Sequence, residues 1–368
     1  MKLALASSPS GAARSQVTRP IRLMIVDDSM VARAVLSRMV EADGDFEIAA
    51  VAGTGEDAVT ALRHIVVDIV LLDLEMPGLG GLKSIPAIIE AARGARIMIV
   101  SSLAEEGAEE TVTALALGAA DTLPKPGTGR FNGRFSEILV ARLRALGHAD
   151  RFIPDIAPGS VRSQPGGPAL RSMASDPIEL LAIGASTGGI HALGNFFAAL
   201  PARIGVPILV TQHLPPAFMT VFARQLGTAA GRPAVVAQDG IALTADTVFV
   251  APGDAHMTVV AGADGGLVVR LTHAAASSGC LPSVDPMFAS IGALLGRKAL
   301  GVVLTGMGRD GYEGAAKLVA CGGSVLAQDE ASSAVWGMPR CIADGGLAAA
   351  ILPPDKLARR VASRCSER

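Results

Sequence analysis

Residues 21–74 read IRLMIVDDSMVARAVLSRMVEADGDFEIAAVAGTGEDAVTALRHIVVDIVLLDL, and this stretch decides the fold. Short apolar runs (RLMIVDD, FEIAAVAG, DIVLLDL) alternate with longer runs of helical period (MVARAVLSRMVEA, EDAVTALRHI). Such alternation predicts a parallel sheet with helices on both faces. Continuing outward, RIMIVSS (96–102), EEGAEETVTALALGA (105–119), DTLPKP (121–126) and SEILVARLRALG (136–147) complete five strands and five helices, a domain over 21–145.

On the N-terminal side, residues 1–20 carry Lys2 and a brief LALA run. That is far short of the roughly 7–15 apolar residues of a secretory signal, so a disordered extension is expected. On the C-terminal side, residues 146–177 are rich in Pro, Gly and Ser and lack either hydrophobic period, as a linker does. A second βα series over 178–365 then runs through IELLAIG, PILVTQHL, TVFVAPG, ALGVVLTGMG and SVLAQDE, predicting a second open α/β sheet.

A chain of 368 residues, half of them hydrophobic, is long enough for two cores. Its 32 basic and 34 acidic residues leave a formal charge of -2, which gives no electrostatic footprint for nucleic acid or an anionic membrane. Cys280, Cys321, Cys341 and Cys365 are widely spaced, a pattern that suits free thiols in a reducing, cytoplasmic compartment. No apolar run approaches the ~18 residues of a membrane span. A soluble, monomeric chain is expected.

Asp27 and Asp28 follow the first strand, Asp73 the third, Ser101 the fourth and Lys125 the fifth. Carboxyl ends of parallel strands converge on one edge, where ligands bind. Three carboxylates there repel one another unless a cation sits among them, and hard oxygen ligands favour Mg²⁺. Asp73 is then the candidate phosphoryl acceptor, with Ser101 and Lys125 contacting the acyl phosphate. The bland alternative, strand-end carboxylates that merely cap helices, has to explain all five positions at once.

In the second series, Gly184-Ala185-Ser186-Thr187-Gly188-Gly189 joins a strand to a helix and has the G-x-S-x-G form of a nucleophile elbow. A dinucleotide loop is the competing reading, but Ser186 occupies the middle glycine position, and the next strand ends in Gln212-His213 rather than a ribose-binding carboxylate. His213 is placed to act as general base, and Asp310, in LTGMGRDG, to orient it. The backbone N–H of Met307 is the candidate oxyanion donor. His256 is expected at the cleft rim.

VDDS, LLDLEMPG, VSS and LPKP resemble a response-regulator receiver domain, which implies a flavodoxin-like fold. By that resemblance Asp27, Asp28, Asp73 and the carbonyl of Glu75 hold Mg²⁺, and a histidine kinase phosphorylates Asp73. Thr122 and Gly80 depart from the usual receiver residues at their positions. GASTGG, QHLPP, APGDAHM, LPSVD, LTGMGRDG and AQDE…WGMP resemble the chemotaxis protein-glutamate methylesterase family over 178 to about 353. This resemblance implies hydrolysis of glutamate γ-methyl esters on cytoplasmic helices of chemoreceptors, glutamine deamidation, and a Ser186, His213, Asp310 triad bordered by Thr187 and Met307, with no cofactor for the esterase. Leu281 stands where the family commonly has arginine.

The expected architecture is thus two doubly wound parallel-sheet domains, a receiver and an α/β serine hydrolase, with the unphosphorylated receiver acting as a lid over Ser186. Two other functions compete: a receiver-linked methylesterase for a sensory array outside chemotaxis, and a non-enzymatic, phospho-regulated receptor-binding protein in which Ser186 is inert.

Overall fold

The computed structural model describes residues 19–101, 105–125, 133–148, 170–263 and 265–365. Residues 1–18 of the expected extension and 149–169 of the expected linker lie outside the described residues.

The first half alternates strand and helix: β1 (Ile21–Val26), α1 (Met30–Glu41), β2 (Phe46–Ala52), α2 (Gly55–Leu62), β3 (Ile69–Leu72), α3 (Gly80–Ala91), β4 (Arg96–Ser101), α4 (Glu105–Ala116), β5 (Asp121–Pro124) and α5 (Gly133–His148). Its sheet has the order β2-β1-β3-β4-β5, and every pairing is parallel. All four residues of β3 are buried, which is why this strand reads as an unbroken apolar run. Ser29 and Thr54 start α1 and α2 by accepting the N–H of Ala32 and Asp57.

The second half comprises β6 (Leu180–Ala185), α6 (Gly189–Ala199), β7 (Ile208–Gln212), α7 (Pro216–Ala230), β8 (Ala234–Val236), β9 (Val248–Val250), β10 (His256–Ala261), β11 (Leu267–Thr272), α8 (Val284–Leu295), β12 (Ala299–Val303), α9 (Tyr312–Ala320), β13 (Ser324–Gln328), α10 (Met338–Asp344), β14 (Ala348–Leu352) and α11 (Pro354–Ala362). Seven of these strands form a parallel sheet in the order β14-β13-β12-β6-β7-β9-β8, while β10 and β11 stand apart as an antiparallel hairpin. Strand order reverses at β6, which has β12 on one side and β7 on the other. In an open α/β sheet that reversal opens a crevice at the strands' carboxyl ends.

Two differences from the sequence reading concern boundaries and content. Helix α5 runs to His148, and the chain from residue 170 is already tied to the second sheet, with Arg171 N donating to Ala348 O (2.9 Å) and Ala174 N to Ser324 Oγ (3.2 Å). The β10–β11 hairpin was not anticipated; its tight turn is closed by Gly262 N to Gly266 O (2.7 Å).

Candidate active site

Ser186 follows β6 directly, and its N–H donates to Thr305 O (3.0 Å) beyond the end of β12. The register pairs Ala185 with Gln212, so Ser186 and His213 leave adjacent strands at the same level. Asp310 arrives from the other neighbour, β12. His213 Nδ1 lies 3.1 Å from Ser186 Oγ, and His213 Nε2 lies 2.8 Å from Asp310 Oδ2. The imidazole is therefore turned end for end relative to the serine-protease pattern, in which Nε2 faces the serine. A neutral ring with its proton on Nε2 satisfies both contacts.

The tight packing around the serine explains its glycines. Gly188 caps α6 with φ +75°, and a Cβ there would stand 2.4 Å from Ala334 Cβ. A Cβ on Gly306 would meet Ser186 Cβ at 2.7 Å. Gln212 donates to Ser186 O (2.9 Å) from beneath. Neither Thr187 nor Met307 has an acceptor for its N–H among the described residues, and both line the cavity in front of Ser186. Two free donors, one just before α6 and one on the loop after β12, are what an oxyanion needs.

Asp310 is 1% exposed and fully satisfied. Its Oδ1 accepts from Ser283 Oγ (2.6 Å), and its Oδ2 from Val284 N (2.8 Å) as well as from His213. Burial alone would raise its pKa, but the His213 hydrogen bond and charge, together with these donors, hold the carboxyl well below the usual carboxylate range. For His213, burial works to lower the pKa, yet Asp310 and then Cys280 outweigh it and push the imidazole up to about 9. His256 is buried rather than at the rim: its Nδ1 accepts Ser283 N (2.9 Å) and its Nε2 donates to Ala274 O (2.9 Å). Ser283 and Cys280 are site residues that sequence reasoning missed, and His256, expected at the rim, lies buried behind Ser283. A hydroxyl opening a helix at LPSVD was the available signal for Ser283.

At the edge of the first sheet, Asp27, Asp28 and Asp73 bring carboxylate oxygens within 4.8 Å of one another. Lys125 Nζ lies 2.6 Å from Asp73 Oδ2 and 2.8 Å from Asp27 Oδ2, and buried Ser101 ends the neighbouring strand. Burial raises the Asp73 pKa despite the Lys125 hydrogen bond, and the same bonds to Asp27 and Asp73 raise Lys125 against its own burial. Asp27 Oδ2 is buried with the ammonium as an ion-pair partner but no donor aligned on it. One lysine against three carboxylates leaves an all-oxygen, negative cluster, and this donor set fits a hard divalent cation. Glu75, on the loop after β3, sends its N–H toward Asp73 Oδ1 at 3.4 Å.

The two halves meet over the Ser186 cleft. Gly188 N donates to Ala120 O (2.6 Å), and Thr187 Oγ1 donates to Asp121 Oδ2 (3.3 Å), so the start of β5 sits on the Ser186 turn. Arg142 of α5 pairs with the same Asp121 (2.9 Å). Farther out, Arg96 Nε donates to Ala334 O (2.6 Å), His191 Nδ1 contacts Ala116 O (3.1 Å), and Gln225 of α7 donates to Thr113 of α4 (2.9 Å). What remains in front of Ser186 is a cavity of about 200 Å³ walled by Leu115, Ala120, Asp121 and Arg142 on one side and by Ser186, His213, Cys280 and Met307 on the other. That is less than the ~300 Å³ at which small-molecule pockets begin.

Residues 181–361 match the CheB methylesterase family model, and residues 23–130 match that of the response regulator receiver domain. The chain is 42% identical to protein-glutamate methylesterase/protein-glutamine glutaminase 2 of Caulobacter vibrioides, over 94% of this chain and 99% of that one. It is 40% identical to protein-glutamate methylesterase/protein-glutamine glutaminase 1 of Paramagnetospirillum magneticum, over 94% and 96%. Among solved structures, the CheB methylesterase catalytic domain of Thermotoga maritima is 32% identical with a TM-score of 0.49, covering 50% of this chain and 97% of that one.

Proposed function

This chain belongs to the CheB methylesterase family, and from that premise we propose that Ser186 is the nucleophile of a receiver-controlled protein-glutamate methylesterase and protein-glutamine glutaminase. The observation that carries the assignment is the hydrogen-bonded series Ser186, His213, Asp310 at the ends of three adjacent strands. Its substrates are γ-methyl esters of glutamate, and glutamine side chains, on the cytoplasmic helices of chemoreceptors.

Neutral His213 takes the Ser186 proton at Nδ1 as Oγ attacks the γ-carbonyl carbon. Asp310 holds the resulting imidazolium through Nε2–H. The negative charge that develops on the carbonyl oxygen meets the N–H groups of Thr187 and Met307. His213 then gives its proton to the leaving methoxide, releasing methanol, or to the leaving amine in deamidation. A water molecule repeats the sequence on the glutamyl ester of Ser186 and restores the serine.

In the receiver, Asp27, Asp28, Asp73 and the Glu75 carbonyl would hold Mg²⁺, whose charge neutralises the phosphoryl oxygens during transfer from a histidine kinase. Asp73 accepts the phosphoryl group, and Ser101 and Lys125 contact it. Phosphorylation favours an arrangement in which β5 leaves the Ser186 turn, because the phosphate's interactions differ between the closed and open states. Among the described residues no helix is long and apolar enough to cross a membrane.

Methanol release from methylated receptor cytoplasmic fragments tests the assignment, with and without a small-molecule phosphodonor and Mg²⁺. Ser186→Ala is expected to lose at least about 10⁴-fold in kcat. Release that survives this substitution unchanged overturns the nucleophile.

A further inference from the structure

The thiol of Cys280 takes no part in the steps above, yet it stands with the two residues that drive them. His213, Cys280 and Asp310 each offer a ligand atom, and these atoms all lie within 4.8 Å of one another. The thiol is held there by its own segment: Cys280 N donates to Ser278 Oγ (3.3 Å), and Ser278 Oγ to Ser283 Oγ (3.3 Å), the hydroxyl that also anchors Asp310. We propose that His213, Cys280 and Asp310 form a zinc site whose occupation switches the esterase off.

Ligand chemistry selects the metal. Thiolate and imidazole are soft and borderline donors that suit Zn²⁺, whereas the Asp27, Asp28, Asp73 cluster is all oxygen and suits a hard cation. The molecule therefore sorts two metals by donor type. Tetrahedral zinc, with bonds of about 2.0–2.3 Å, sets neighbouring ligand atoms roughly 3.3–3.7 Å apart, so the site forms by movements of about an ångström or less, the His213–Asp310 pair opening from 2.8 Å and the Cys280 thiol moving in. His213 and Cys280 line the cavity of about 200 Å³, which has room for a water as fourth ligand.

The metal takes the place of the proton between His213 Nε2 and Asp310 Oδ2. Cys280 gives up its thiol proton to solvent, and an imidazolium at His213 gives up a second. A neutral imidazole bound through Nε2 carries its one remaining proton on Nδ1, the nitrogen that faces Ser186. That nitrogen then donates instead of accepting, so it cannot deprotonate the serine. Because binding releases protons, the zinc affinity falls as pH falls.

Only the loss of hydrolysis rests on the Ser186 reading; the binding does not, and the test separates them. The reduced full-length protein is titrated with Co²⁺ as a spectroscopic stand-in for Zn²⁺. A sulfur-to-cobalt charge-transfer band in the near ultraviolet is expected to saturate at one equivalent and to bleach when Zn²⁺ is added. One equivalent of Zn²⁺ is expected to lower methanol release at least about tenfold, with recovery on adding a chelator that leaves Mg²⁺ free.

Cys280→Ser should lose the band and need at least about tenfold more zinc for half-inhibition of its own zinc-free rate. His213→Gln should lose the band while unfolding like the wild type, which separates ligand loss from misfolding. Ser186→Ala should bind Co²⁺ as the wild type does. No band in the wild type, or a band that persists in Cys280→Ser because Cys321, Cys341 or Cys365 supplies it, overturns the site. Undiminished hydrolysis by Ser186→Ala overturns the nucleophile and leaves the band standing.

Discussion

Ser283 shows how much of the catalytic geometry is set one residue away from the chemistry. Its hydroxyl supplies a 2.6 Å bond to Asp310 Oδ1 in a site where both partners are buried, so water cannot replace it. Losing a hydrogen bond to a buried charge costs on the order of 1.5 kcal/mol, which is about tenfold in rate if it acts on the oriented imidazole. Ser283→Ala should therefore lower kcat about tenfold with KM nearly unchanged; an effect confined to KM assigns Ser283 to substrate contact instead. The imidazole itself predicts a pH dependence. A general base works only when neutral, and His213 is raised to about 9 by Asp310 and Cys280 against its burial, with Arg142 and Asp121 lining the same cavity. In the unphosphorylated chain, kcat/KM should thus rise with pH and level off only above about pH 9, and a limb centred near 6.5 would refute the raised value. The sequence made Ser186, His213 and Asp310 legible because Ser186 and His213 directly follow apolar strand runs and Asp310 lies in the glycine-rich loop after a third. It concealed Cys280 and Ser283, which come from a loop whose approach to the cleft no periodicity records, and it placed His256 at the rim where burial puts it behind Ser283.

Helix α6 carries opposite predictions a few residues apart. Its second residue, after which the nucleophile turn has just closed, is Ile190; the glycine before it, Gly189, would aim a Cβ at Gln212 Oε1 (2.2 Å) and Ala185 Cβ (2.8 Å), whereas Gly194 meets nothing within 4 Å. Gly189→Ala should destabilise the protein by about 1–3 kcal/mol through overpacking. Gly194→Ala should stabilise it by roughly 0.5–1 kcal/mol through helix propensity and a less flexible unfolded chain. Urea unfolding of the two variants checks both signs, and a shared sign would refute the packing argument. At this scale the parallel strands were readable because burial on both faces leaves continuous apolar runs such as the four residues of β3. The β10–β11 hairpin was not read. Its strands pair antiparallel outside the main sheet, and the stretch HMTVVA shares His256 and Met257 with the APGDAHM motif, so loop and strand run together.

On the scale of the whole molecule, the short strand β5 connects the two sites. Asp121 at its start touches the Ser186 turn through Thr187, and Lys125 just past its end touches Asp73. Four residues of strand span only about 13 Å, so a change at Asp73 need not travel far to disturb the cleft. The lid is also held at its edge by α7 against α4, away from both sites, where Gln225 donates to Thr113 (2.9 Å) and Arg224 pairs with Glu109 (2.8 Å). The ion pair is exposed on both sides and contributes at most about 1 kcal/mol, and the hydrogen bond contributes about 1 kcal/mol. Removing both with Arg224→Ala and Gln225→Ala should weaken closure by roughly 1–1.5 kcal/mol. In a chain that is mostly closed, the open fraction then rises about five- to tenfold. Methanol release without phosphodonor should rise by that factor, while release with phosphodonor, where the open state already dominates, should hardly change. An equal rise under both conditions would point to an effect on the esterase itself, and no rise in either would mean that the α4–α7 contact does not hold the lid.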